Sequence, residues 1–171
     1  MAASVGSGYV RTMSDPTSLP NFPPPPSEHP LRGRVLDILL DEGFQPDIDS
    51  DGDVAFKVQG QQLFVRCLEG DFTIMRVFGQ WQIGDDVPQD LLTQLQACND
   101  LTLRLNIVKA GIANNTLVVT GEHVVFPDTD VTVLLQVTTQ LVLSAVHMWH
   151  EQITGAPGDD GLTGSGPEGP A

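Results

Sequence analysis

Apolar residues along the chain recur first at helical spacing, then at alternate positions, then at helical spacing again. Leu31, Val35, Ile38 and Leu39 fall on one stripe, which predicts a helix over 31–44, with Pro30 suited to its start and Gly43 to its stop. The period then drops to two. Val54, Phe56 and Val58 alternate with Ala55, Lys57 and Gln59, and Leu63, Val65 and Cys67 with Phe64, Arg66 and Leu68. Phe72, Ile74, Arg76 and Phe78 then alternate with Thr73, Met75 and Val77. Short turns at 59–61 and 69–71 predict an antiparallel three-stranded meander. Helical spacing resumes at Val87, Leu91, Leu95 and Cys98, widened by Leu92, predicting a helix that starts near Asp86 and Pro88. Strands at 103–109 and 116–120 follow, joined through Gly111–Asn115.

A last helix is predicted over 129–153, with Asp128 and Asp130 at its positive pole. Leu134, Leu141, Ala145 and Met148 cover one side of it. Val131, Leu135, Val142, Val146 and Trp149 cover another. A helix apolar over that much of its circumference requires more than one cover, so the sheet is expected on one side and a further helix or a second subunit on the other. The stretch 131–149 carries no formal charge and is long enough to span a bilayer. Its interspersed Gln, Thr, Ser and His residues, and the absence of Lys or Arg after Lys109, favour a buried helix.

Composition separates the ends from the middle. Residues 1–30 hold seven of the 13 prolines, including the run Pro23–Pro26, and 155–171 is rich in glycine, proline and acid. Neither end has apolar periodicity, so both are expected to be disordered tails flanking one domain over 31–154, with the proline run a spacer. The start lacks the basic and apolar segments of a signal peptide, which leaves the cytoplasm as the expected location. With 22 acidic and 8 basic residues the formal net charge is -14. Such a surface repels phosphate backbones and anionic membranes, so neither nucleic acid nor membrane is expected as a partner.

Candidate chemistry is sparse. Asp47, Asp49, Asp51 and Asp53, with Gly52 between the last two, match the opening of an EF-hand calcium loop, but Val58 stands where the bidentate Glu belongs. An acidic turn into the first strand is the plainer account. His147 and His150, with Glu151 beside them, match neither HExxH nor HxxEH, and no further ligand is placed by spacing. Cys67 and Cys98 read as buried free thiols without a basic neighbour of consequence. Gly161–Gly166 has no flanking strand and helix to make it a phosphate loop. No nucleophile–base pair can be named, so no catalytic residue, cofactor or enzymatic activity is expected.

The order is therefore α-β-β-β-α-β-β-α, an α+β fold. Val35–Phe44, Asp51–Phe56, Leu91–Asn99 and the apolar last helix together resemble the YbjN-domain family of actinobacterial type, labelled a bacterial sensory transduction regulator. The resemblance covers about 31–153 and implies a fold similar to type III secretion chaperones: a curved antiparallel sheet with helices packed on it, usually dimeric. It implies no catalytic residues. The expected function is a non-catalytic, chaperone-like or regulatory protein-binding module, pairing with itself through 91–109 or the last helix. An extended or amphipathic segment of an unidentified client would be held on pockets at Phe64, Leu68, Met75 and Val77. The alternative is a calcium- or small-ligand-responsive regulator using Asp47, Asp49, Asp51 and Asp53.

Overall fold

The computed structural model describes residues 30–155. The proline-rich and glycine-rich ends, with Gly161–Gly166, lie outside the described residues. Helix α1 (Leu31–Asp41) is followed by strands β1 (Asp47–Ile48), β2 (Val54–Val58), β3 (Gln61–Leu68) and β4 (Ile74–Gln82). Then come helix α2 (Leu91–Arg104), strands β5 (Val108–Ala113) and β6 (Thr116–Val124), and helix α3 (Val131–Thr154). All neighbouring strands are antiparallel, in the order β1-β2-β3-β4-β6-β5. The expected α+β class is the observed one.

Alternation along the strands divides the sheet into two faces. Val54, Phe56, Leu63, Val65, Met75, Val77, Leu117 and Val119 point one way and are buried. They pack with Leu31, Val35 and Leu39 of α1, Leu101 of α2 and Leu135, Val142 and Trp149 of α3 in one core. All three helices therefore cover one face and leave the other open. Gly121 lets α3 lie close over β6, because a Cβ there would run into Cγ2 of Thr138. Asn114 and Asn115 both take positive φ, 50° and 57°, and turn β5 into β6 in two residues.

Several expected boundaries shift for identifiable reasons. Helix α1 ends at Asp41, three residues early, because Gly43 at φ 84° and the Phe44 amide bonded to the Leu39 carbonyl close its last turn. Strand β4 runs past Gly79 to Gln82, its glycine roofed by the Trp81 ring. Helix α2 starts at Leu91, not near Asp86: Asp90 is the cap, its Oδ2 accepting from the Thr93 amide at 2.9 Å and hydroxyl at 2.7 Å. The same helix absorbs Leu101–Arg104, so β5 begins at Val108 and not at Leu103. Asp130, rather than Asp128, caps α3 through the Val133 amide.

Helix α3 is long and apolar enough by length and composition to cross a membrane, yet Val131, Leu135, Val142, Ala145, Trp149 and Ile153 are core residues. Leu134, Leu141, Leu143, Val146 and Met148 are half-buried against the same core. Only Val133 and Val137 among its large apolar residues are exposed. The expectation that α3 carries the surplus apolar surface is thus corrected: α1, α2 and the sheet clothe it within one chain.

Candidate functional site

The surplus lies on α2 instead. This helix buries Gln94, Ala97, Cys98 and Leu101. Burial of Gln94 is met by a hydrogen bond from its Nε2 to the Pro88 carbonyl at 2.9 Å. That rotation turns Leu91, Leu92, Leu95 and Leu103 outward, with Leu92 63% and Leu103 78% exposed. Leu92, Leu95, Asn99 and Leu103 recur at steps of three, four and four, one continuous stripe along three turns. The expected stripe of Val87, Leu91, Leu95 and Cys98 is corrected accordingly: Val87 is a buried anchor before the helix, and Leu91 and Leu95 face out. Asp100 and Arg104 are the only charged residues within α2, so the stripe is nearly neutral in a strongly acidic chain.

Immediately beyond the stripe, Ile107 sits at φ 73°, a costly conformation for a β-branched residue, and its side chain is half-exposed. Strand β5 is the neighbouring sheet edge. Its Ala110 amide is already answered by the Thr102 hydroxyl of α2 at 3.3 Å, so the edge is partly blunted. The other edge, β1, is two residues long. At this end of the molecule exposed leucines are therefore more accessible than free backbone.

On the open face, register decides which residues share a surface. Phe64 pairs with Phe78, Arg66 with Arg76 and Leu68 with Ile74. Met75 and Val77 pair with Cys67 and Val65 and are fully buried beneath the helices, which corrects their expected place in a client pocket. Phe64 and Leu68 do lie on the open face. Phe64 stacks on Phe78 with ring centroids 5.3 Å apart, and the Arg66 guanidinium lies 5.5 Å from the Phe78 centroid. The even spacing that would have brought Arg76 and Phe78 to Phe64 is visible in the sequence, but the pairing register that selects it is not.

Charges on this face are internally matched. Glu122 accepts from Lys109 Nζ at 2.7 Å and lies 2.7 Å from Arg76 Nε. The Lys109 hydrogen bond, followed by the field of Arg76, holds the Glu122 carboxyl below its ordinary range despite partial desolvation. A carboxyl depressed in the folded state stabilises above its unfolded value, near pH 4, and loses that contribution as pH falls through the folded value. Glu122→Gln is therefore expected to lower the thermal midpoint by about 2–4 °C at pH 7 and to change nothing near pH 2, measured by circular dichroism melts across pH.

The acidic loop proves to be the turn of a β1–β2 hairpin. Asp49 Oδ1 accepts from the amides of Asp51 and Asp53, both at 2.9 Å, and Gly52 takes φ 84°. Asp49, Asp51 and Asp53 bring carboxylate oxygens within 4.8 Å of one another, whereas Asp47 lies outside that group and accepts from the Ile48 amide. Asp53, 2% exposed, is held bidentately by Arg66 at 2.8 and 2.6 Å. The Asp49 carboxylate is thus committed to the turn and that of Asp53 to Arg66, while Asp51 is exposed and gives the turn its amide.

The thiols are poor nucleophiles. Burial, reinforced by Glu69, pushes Cys67 up to about 12, and burial raises Cys98 against an opposing contact from Trp149. His147 and Glu151 pair at 3.0 Å, while His150 turns away to Asp86 at 3.2 Å, so the two histidines do not share a ligand set.

No family model matches the chain, and no curated relative matches it. Solved structures do. The fold is similar to that of an archaeal protein. This is an uncharacterized protein from Methanothermobacter thermautotrophicus, aligned with a TM-score of 0.54 and 13% identity over 72% of this chain and 96% of that one. YbjN from E. coli, described as a candidate transcription regulator, aligns with a TM-score of 0.44 and 12% identity, over 72% of this chain and 89% of its own. Likeness at these identities concerns the fold alone.

Proposed function

We propose that the chain is a non-catalytic protein-binding module, chaperone-like or regulatory, that works as a pair of identical copies joined through α2. The observation that carries this reading is the row of exposed leucines on α2, nearly free of charge on a chain of net charge -14. Two acidic copies repel one another over most of their surfaces, and a neutral apolar face is where they can meet without that cost. Asn99 in the middle of the row would set the register, as a polar residue does in a helical seam. Pairing through α2 leaves the open sheet face, with half-buried Phe64 stacked over the buried Phe78, available to an extended client segment. The test is light scattering of the full chain at micromolar concentration. A mass twice that of one chain is expected, and a monomer overturns the reading.

A calcium-responsive regulator is the second reading, favoured by the proximity of Asp49, Asp51 and Asp53. Binding there would require the ion to displace Arg66 from Asp53 and to do without a bidentate Glu. We expect millimolar calcium to move the thermal midpoint by less than about 1 °C, because a ligand stabilises only in proportion to its occupancy of the native state. A rise of several degrees that disappears in Asp51→Asn would replace the first reading with this one.

A further inference from the structure

A second apolar patch lies on the open face, at the opposite end of the sheet's long strands from the β5–β6 turn. Leu68, Ile74 and Val124 stand side by side across β3, β4 and β6. The β4–β6 ladder continues one step further, with the Val125 amide donating to the Thr73 carbonyl at 2.8 Å. Phe72 and Phe126 each adjoin this last bonded step, next to Thr73 and Val125 in the chain. Phe72 is 70% exposed and Phe126 60%. None of these five residues is charged, and two aromatic side chains left so open on one small surface call for a cover.

The start of α1 is fixed beside this patch. The Leu31 amide donates to Glu69 Oε1 at 3.0 Å, and Glu69 directly follows Leu68. The chain preceding Leu31 therefore arrives at the β3–β4 turn. Residues 17–26 of that chain, Thr17-Ser18-Leu19-Pro20-Asn21-Phe22 and Pro23–Pro26, carry no charge, although the protein as a whole is strongly acidic. Three residues separate Pro26 from Pro30, four steps with a reach of about 13–14 Å when extended. The patch is three strands wide, about 10 Å. A proline run in the polyproline II conformation needs no hydrogen-bonding partner of its own and lies well on aromatic side chains.

We propose that the segment Pro20–Pro26 of the same chain docks on Leu68, Phe72, Ile74, Val124 and Phe126 and covers that corner of the open face. The inference is independent of whether copies pair through α2, since it uses neither that helix nor its leucines. Replacing Pro23–Pro26 by serine in the full chain exposes the patch. Hydrogen exchange at 71–73 and 124–126 is then expected to quicken about five-fold or more, with a parallel rise in binding of a hydrophobic dye, while exchange in α3 stays unchanged. Equal exchange and equal dye binding in the two proteins would overturn the proposal. The reciprocal variant, Phe72→Ser with Phe126→Ser, leaves the proline segment intact. In it the amides of Asn21 and Phe22, the two that the segment Pro20–Pro26 carries, are expected to move from slowed exchange to the rate of a free peptide, and rates already at the free-peptide value in the unaltered chain would overturn the proposal. Protection that vanishes on tenfold dilution would assign the cover to a second copy instead, and the proposal of docking within one chain would fall.

Discussion

Changing Leu92 and Leu103 together to glutamine is expected to convert the proposed pair into monomers, raising the dissociation constant at least about 100-fold. Both side chains stand well clear of their own chain, at 63% and 78% exposure, and they lie eleven residues apart on one stripe. Eleven residues are about 16 Å of helix, so the substitutions strike both ends of the proposed seam. A buried leucine contributes about 1.5–3 kcal/mol relative to an exposed one, and a two-fold interface counts each substitution twice. Glutamine is nearly as good a helix former as leucine, so α2 itself survives the change. The measurement is sedimentation across a concentration series, with the far-ultraviolet circular dichroism spectrum as the control for folding. A double variant that stays as associated as the unaltered chain would place the contact elsewhere. Leu101→Gln is the contrasting control, because Leu101 is a core residue and its loss should unfold the domain before it dissociates anything.

The reason this surface escapes a reading of the sequence is physical. Helix α2 has two apolar arcs, and the choice between them rests on Gln94, which is buried because the Pro88 carbonyl lies within reach of its amide. Spacing alone favours burying Leu91 and Leu95 and exposing the glutamine. The run Leu101–Leu105 misleads in a related way, since its alternation suits a strand while Leu101 and Leu105 also stand one helical turn apart. By contrast, β2 and β3 were legible, because each has a single period and a burial pattern that agrees with it, and α3 was legible in its extent but not in what covers it. Strand β1 was not legible: its two residues have no period and become a strand only by pairing with Val54 and Ala55. The acidic turn was legible as a turn, but its tie to Arg66 joins residues thirteen apart across two strands and is set by the fold.

Register is where sequence and structure part most sharply on function, and it yields the other large expected effect. Alternation along β4 offers two sets of residues, Met75 with Val77 and Ile74 with Arg76 and Phe78, and does not say which set faces the helices. Pairing with β3 decides it, bringing Met75 opposite Cys67 and Val77 opposite Val65, beneath the helices. Met75→Ala is therefore expected to act as a core truncation, costing about 2–5 kcal/mol and lowering the thermal midpoint by about 10 °C or more. Phe64→Ala, on the open face, removes the stack on Phe78 and one side of a half-buried ring, and is expected to cost about half as much. Thermal and urea melts of the two variants, compared at one protein concentration, separate the alternatives. Equal losses, or a greater loss at Phe64, would mean that the assigned register is wrong by one residue and that the exposed and buried faces of the sheet must be exchanged. The ordering expected here, Met75 well above Phe64, is what a sheet covered on one side alone requires: the covered side supplies the stability, and the bare side adds little to it.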